Sequence, residues 1–236
     1  MGTWHLGIVR ARTVRWLLAG LTRADGDQAG FTPIALAPKD EPKWRSLVAR
    51  SRAGTERRPL AVMIPGMMGS HLEIDHQHVW LNYLSLLKGG LAKLGWGANG
   101  VAVLDAIDDF YGPLIEFLTR THRVEVFAYD WRHSVQENGR RLAEKLGEWL
   151  PRAEAEQQPV HLVAHSMGGL VARAMIAQPA GTAVWQRIKQ LPNSRFLMLG
   201  TPNRGSLEAM RWLVGFNPTQ GKLALLDFAH DMDEII

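Results

Sequence analysis

The stretch Val160-His161-Leu162-Val163-Ala164-His165-Ser166-Met167-Gly168-Gly169-Leu170-Val171-Ala172-Arg173 constrains this chain more than any other. Its first four residues are mostly apolar and suit a buried strand. Leu170, Val171, Ala174 and Met175 then carry the spacing of a helix, so Ser166 falls where the period changes from two to 3.6. Ala164 and Gly168 flank it two positions away on either side. Small flanks suit a sharp strand-to-helix turn, in which bulk would meet the neighbouring backbone. Such a turn lifts the serine hydroxyl to the top of a sheet and leaves the Met167 N–H at a helix start. The five-residue form associated with nucleophilic serines is G-x-S-x-G, and here Ala164 takes the first glycine's place. A serine capping an ordinary helix is the plainer alternative.

A chain of 236 residues can bury one sizeable core, and an α/β domain is the natural expectation. It has no cysteine, which excludes disulfides, thiolate metal sites and a cysteine nucleophile. No apolar run approaches the roughly 20 residues of a membrane span. The patch Val14–Leu21 is interrupted by Arg15 and no cleavage site follows it, so no secretory signal is read and a cytoplasmic location is expected. The net charge of +4 is unevenly spread: residues 1–60 carry a net +6 and the remainder −2. A basic lead-in of this kind admits a peripheral contact with anionic lipid, although a solvated extension is the commoner outcome. No nucleic-acid motif accompanies it.

Residues 1–58 therefore read as a basic, weakly ordered lead-in with one or two short helices, an amphipathic one through about Leu21 and a turn or two at Trp44–Arg52. Broken by Pro33, Pro38 and Pro42, it is expected to pack poorly and to be the first target of a protease. Residues 59–236 read as one α/β domain. Leu60–Ile64 is a buried strand whose exit loop, Pro65-Gly66-Met67-Met68-Gly69-Ser70, lacks the Lys-Ser/Thr ending of a phosphate loop. Beside a serine elbow it suits a second oxyanion donor at the Met67 N–H; on its own it would be a simple tight turn. A hairpin follows, with strands at Leu72–Ile74 and Val79–Leu81. His71, Asp75, His76 and His78 cluster around its turn, where a zinc site is the less favoured reading. Helical spacing runs through Leu81, Leu84, Leu87 and Leu91. Pro113 suits the start of another helix, Arg123–Tyr129 a strand, and Ser134 a helix closed by Pro151. Phe196–Leu199 reads as one more buried strand. Strands alternating with helices predict a parallel sheet with its site at the strands' carboxyl ends.

Four separated pieces together resemble the lecithin:cholesterol acyltransferase-like branch of the α/β-hydrolases. They are Ile64–Ser70 followed by Val79-Trp80-Leu81-Asn82, then Tyr129-Asp130-Trp131-Arg132, Ala164–Gly169, and Leu199-Gly200-Thr201-Pro202-Asn203-Arg204-Gly205-Ser206. The resemblance covers roughly residues 60–210. It implies an α/β-hydrolase-type, mostly parallel sheet flanked by helices, a nucleophile at Ser166, and oxyanion donors at Met67 and Met167. It further implies lipid-like acyl esters as substrates, hydrolysis or O-acyl transfer as the reaction, and no cofactor or metal. Trp80 and the stretch after Gly205, with Trp212, Leu213 and Phe216, fall where the family places lid elements; ordinary packing explains them equally well.

One departure from the family pattern stands out. In α/β-hydrolases the acid and the histidine follow the serine, and here the only histidine after Ser166 is His230, with Asp227 three residues before it. Both fall on what reads as one helix, Lys222–Met232, rather than on two loops after two further strands. The expectation is a sheet truncated after the strand ending near Leu199, that strand left as an apolar edge, and a catalytic domain lacking its acid and histidine. His165 is expected to project away from Ser166, and His133 is the best remaining base. The competing expectation is a non-catalytic lipid- or protein-binding module on the same scaffold.

Overall fold

In the computed structural model a parallel sheet is built around β1 (Leu60–Ile64), whose five residues are all fully buried. The structure describes residues 43–80, 90, 92–95, 99–207 and 210–211. Around β1 lie β5 (Arg123–Val126), β6 (Val160–His165) and β7 (Arg195–Leu199), in the order β5-β1-β6-β7 with every pairing parallel. A strand buried on both faces has no polar side to present, which is why β1 reads as an unbroken apolar run rather than an alternation.

Successive β1 residues point to opposite faces, and each face has its own core. Leu60, Val62 and Ile64 join Leu162 and Ala164 against α3 (Val135–Ala155), α4 (Met167–Ile176) and α5 (Pro179–Gln190), through Leu142, Leu146, Val171, Met175 and Ile188. Ala61 and Met63 join Val124 and Val163 against α1 (Lys43–Ala53) and α2 (Asp108–Thr119), through Trp44, Val48, Tyr111 and Ile115. Each large apolar side chain so buried contributes about 1.5–3 kcal/mol, an upper figure because the unfolded chain is itself partly collapsed. The result is the expected α/β architecture, a mostly parallel sheet flanked by helices.

A second sheet holds β2 (Ser70–Ile74), β3 (Gln77–Trp80) and β4 (Val101–Ala106) in the order β3-β2-β4, with β2 and β4 antiparallel. The turn between β2 and β3 places Asp75 and His76 at φ 50° and 60°. That pair of left-handed residues matches the twist of a two-residue hairpin.

Contacts divide the chain into two units, residues 40–78 with 99–205, and residues 1–39, 79–98 and 206–236. Several expectations are corrected. The helical turns read at Trp44–Arg52 are helix α1, but it is docked rather than loosely packed, with Trp44 and Val48 four apart on its buried face. Its basic residues have acidic partners far along the chain: Arg45 pairs with Asp105, and Arg52 with the buried Glu125 at 2.5 Å. Ser51 Oγ accepts the Val124 N–H at 3.1 Å. The remainder of the lead-in, residues 1–42, lies outside the described residues, as does the helical spacing from Leu81 to Leu87. β4 stands where no strand was expected.

Neither proline bounds a helix. Pro113 sits inside α2, which begins at Asp108 where Asp108 and Asp109 favour the positive helix end. Pro151 sits inside α3, which continues to Ala155; its ring is on the exposed side, where water can replace the missing N–H. Ser134 does cap α3, its Oγ accepting the Glu137 N–H at 3.1 Å. β7 is a strand but not a buried one. Leu197, Met198 and Leu199 are each about 40% exposed, because β7 pairs with β6 alone among the described strands.

Two features beyond β1 fix the carboxyl end of the sheet. α4 lies so close to the β1 exit that a Cβ on Gly168 would stand 2.3 Å from the Pro65 carbonyl oxygen and 2.5 Å from that of Ile64. After β5, the buried Asp130 takes Arg132 Nε on one oxygen at 2.9 Å and Nη2 on the other at 2.7 Å. Its burial raises the carboxyl pKa, but the Arg132 hydrogen bonds outweigh that and hold it below the ordinary value. Asn138 Nδ2 donates to the Asp130 carbonyl at 2.9 Å, tying the loop to α3.

Gly168→Ala is expected to cost about 3 kcal/mol, since backbone oxygens cannot swing aside as a side chain would; urea unfolding measures it. Asp130→Ala is expected to cost about 3 kcal/mol by leaving the largely covered Arg132 guanidinium without its carboxylate. Because the Asp130 pKa is lowered in the folded state, its contribution is fully present above the ordinary aspartate value of about 3.9 and is lost as pH falls through the lowered one. Denaturation midpoints from pH 7 down to pH 3 should therefore converge for wild type and Asp130→Ala.

Candidate active site

Ser166 is the single residue between β6 and α4, at φ 48° and ψ −122°. A non-glycine residue there stores on the order of 1–3 kcal/mol of backbone strain and persists only where its surroundings over-determine it. Two hydrogen bonds hold it: the Ser166 N–H donates to the Leu199 carbonyl at 2.8 Å, and the Gly169 N–H to the Ser166 carbonyl at 3.1 Å. The first extends the β6–β7 pairing by one residue beyond the strand. The second begins the helix.

The exit loop of β1 closes against this turn. A Cβ built on Gly66 would stand 3.0 Å from Ser166 Cβ and 3.0 Å from His165 Nδ1, so only glycine lets the loop approach this far. The loop itself is a four-residue turn, the Gly69 N–H donating to the Gly66 carbonyl at 3.1 Å with Met68 at φ 60°. A left-handed third residue is the mark of a type II turn and puts Met67 at its second position. Two tyrosines hold the loop. Tyr129 Oη donates to the Pro65 carbonyl at 2.9 Å, and its own N–H donates to Ser70 Oγ at 3.1 Å. Tyr111 Oη accepts the Gly66 N–H at 2.8 Å and lies 2.9 Å from His165 Nδ1.

Among the described residues neither the Met67 nor the Met167 N–H has a hydrogen-bond acceptor. For Met167 this is the ordinary state of a first-turn donor. The loop after β7 completes the surroundings: Thr201 stands where a Cβ on Gly169 would fall, and Arg173 of α4 donates to Asn203 Oδ1 at 2.7 Å. Three of the four sequence pieces that carried the resemblance thus meet at one end of the sheet: the β1 exit, the serine elbow and the β7 exit. The fourth, around Tyr129, supplies the anchor of the first.

The described histidines are engaged elsewhere. His165 faces Tyr111, His133 Nε2 lies 3.5 Å from Asp130 Oδ2, and His122 Nε2 lies 3.0 Å from His161 Nδ1. None of them bonds Ser166 Oγ. Part of the His165 ring is open to solvent, but burial of its inner edge holds its pKa below the ordinary histidine value. Burial likewise raises both tyrosine hydroxyls, so they remain protonated at neutral pH. Asp227, His230, Trp212, Leu213 and Phe216 lie outside the described residues, and Trp80 is buried. In the hairpin, His71 Nδ1 and His78 Nε2 are 2.8 Å apart while His76 points to solvent. Among the described residues no three His, Cys, Asp or Glu side chains gather as a metal-binding group. No helix of the described residues is long and apolar enough to cross a membrane.

Tyr111 went unnoticed in the sequence. It stood only as the residue before Gly112-Pro113, while its partners are 45 and 54 positions away. Thr201 and Arg173 lay within quoted motifs, but nothing local showed that they face α4 and the β7 exit.

The family model described as lecithin:cholesterol acyltransferase matches residues 115–222. That span takes in β5, α3, the serine elbow, α5, β7 and its exit loop. No curated protein matches the chain significantly. Over that span the chain is similar to the lecithin:cholesterol acyltransferase family.

Proposed function

We propose that the chain acts on lipid-like acyl esters through Ser166 as nucleophile, by hydrolysis or by O-acyl transfer. The observation that carries this is the strained backbone of Ser166 at the strand-to-helix turn, with the β1 exit loop closed against it. Strain of that kind has no use in a serine that merely caps a helix. The Met67 and Met167 N–H groups, both without acceptors among the described residues, are the oxyanion donors of this reading.

In the reaction Ser166 Oγ bonds to the ester carbonyl carbon and its proton passes to a base. The carbonyl oxygen takes the negative charge between the two N–H groups. Collapse breaks the bond to the alcohol, which leaves with the proton. Water or an acceptor alcohol then attacks the acyl-serine and regenerates the hydroxyl. A positioned base is worth about 10² to 10⁴ in rate. No described histidine is placed to be that base, so the described residues support nucleophile and oxyanion functions alone, with residual turnover expected. The same observation favours a second reading, a lipid-binding module that keeps the hydrolase scaffold without turnover.

A serine-directed fluorophosphonate is expected to label wild type and not Ser166→Ala. Wild type left unlabelled would favour the binding module. Met67→Pro suits the second position of the turn and removes the N–H together with an exposed side chain. It should slow labelling about 10²-fold, which Met67→Ala should not, while the far-ultraviolet circular dichroism is unchanged. The 236-residue chain should hydrolyse p-nitrophenyl esters only weakly. Turnover at an ordinary enzymatic rate, lost in Ser166→Ala, would reveal a base, with His230 and His133 the first to replace.

A further inference from the structure

We propose that Tyr111 is a positioning residue of the nucleophile site, its one hydroxyl locking the oxyanion loop to the strand end that carries Ser166. The inference rests on the serine reading above and goes beyond it by assigning how the loop is held. Tyr111 comes from α2, an element outside the serine elbow and the strand-exit loops. It is 6% exposed, packed among Ala61, Met63, Ile115 and Val163 in the core on its side of the sheet. Only its Oη reaches the loop.

That oxygen sits in the concave side of the Gly66–Gly69 turn. It accepts the Gly66 N–H at 2.8 Å, and a Cβ on Gly69 would stand 2.8 Å from it, so the turn is wrapped around the hydroxyl. The hydroxyl proton is then free for His165 Nδ1 at 2.9 Å, the backbone neighbour of Ser166. A neutral imidazole accepting at Nδ1 carries its proton on Nε2. One side chain therefore fixes both walls of the gap in which an ester carbonyl would sit. Because the Gly66 N–H is consumed by Tyr111, it is not an oxyanion donor, and the role passes to the next amide, Met67. The Tyr111 hydroxyl touches no reacting atom in this arrangement; it acts through the loop.

The test is Tyr111→Phe, which keeps the ring in its apolar seat and deletes only the oxygen. With a fluorophosphonate probe, the variant should show a maximal labelling rate about tenfold below wild type, the loss of one neutral hydrogen bond's worth of positioning, at a little-changed half-saturating probe concentration. In hydrogen exchange the Gly66 amide, protected in wild type, should exchange rapidly in the variant. A wild-type labelling rate with the Gly66 amide still protected overturns the proposal. Ser166→Ala separates the two readings: if it labels like wild type, the serine assignment fails whatever Tyr111 does. Should Tyr111→Phe not fold, nitrogen-15 spectra of the wild-type histidines decide. A His165 held in one tautomer at neutral pH supports the lock, and free exchange between the two tautomers overturns it.

Discussion

The contact on which the whole site depends is backbone against backbone, where the first turn of α4 rests on the carbonyl oxygens of Ile64 and Pro65. A Cβ at Gly168 would be driven to 2.3 Å from one of them. Everything else at the carboxyl end of the sheet is measured from that approach. It brings the β1 exit loop close enough for Gly66 to meet Ser166 and gives α4 its direction. The left-handed Ser166 turn is the geometric consequence, since the chain must leave β6 and enter a helix already pressed on the next strand.

Around this contact the polar groups act as fasteners rather than as sources of net stability. The Tyr111 and Tyr129 hydroxyls each occupy a backbone group of the β1 exit, and Ser70 Oγ takes the Tyr129 N–H, which would otherwise be orphaned. Unpaired buried amides and carbonyls are costly, whereas a made hydrogen bond contributes only about 1 kcal/mol. The fasteners therefore select one loop conformation out of many. They leave the Met67 amide unspent while using those on either side of the turn, at Gly66 and Gly69.

How much of this was legible in the sequence follows the range of the interactions. The elbow could be read at Val160–Arg173 because a strand, a turn and a helix write their periods into neighbouring residues, and the structure puts β6, Ser166 and α4 there. The β1 run and its glycine-rich exit are equally local. The docking of helix α1 was hidden because its arginines look like a free basic arm until Asp105 and Glu125 arrive from more than fifty residues away. The two prolines misled because a proline within a helix is tolerated where tertiary packing on the opposite face outweighs one lost hydrogen bond. Phe196-Leu197-Met198-Leu199 was legible as an apolar strand left at an edge, but the extent of its exposure depends on distant partners that composition does not show. Tyr111 was unreadable for the same reason: its chemistry consists entirely of partners distant in the chain.

The order β5-β1-β6-β7 also sets a timetable for a chain made from its N-terminus. β1 is finished at residue 64, yet its two neighbours end at residues 126 and 165. At roughly 5–20 residues per second, the central strand waits several seconds for its first partner and about twice as long for its second. Through that interval the most apolar segment of the sheet has no strand of the parallel sheet to pair with. Of β1's two neighbours the later is β6, the strand that runs into Ser166, so the pairing that closes the sheet's centre immediately precedes the strained turn. Nascent chains halted just before Val160 and just after Met175 would differ in whether β1 is sealed, which makes translation speed across α3 a physical variable in the yield of folded protein.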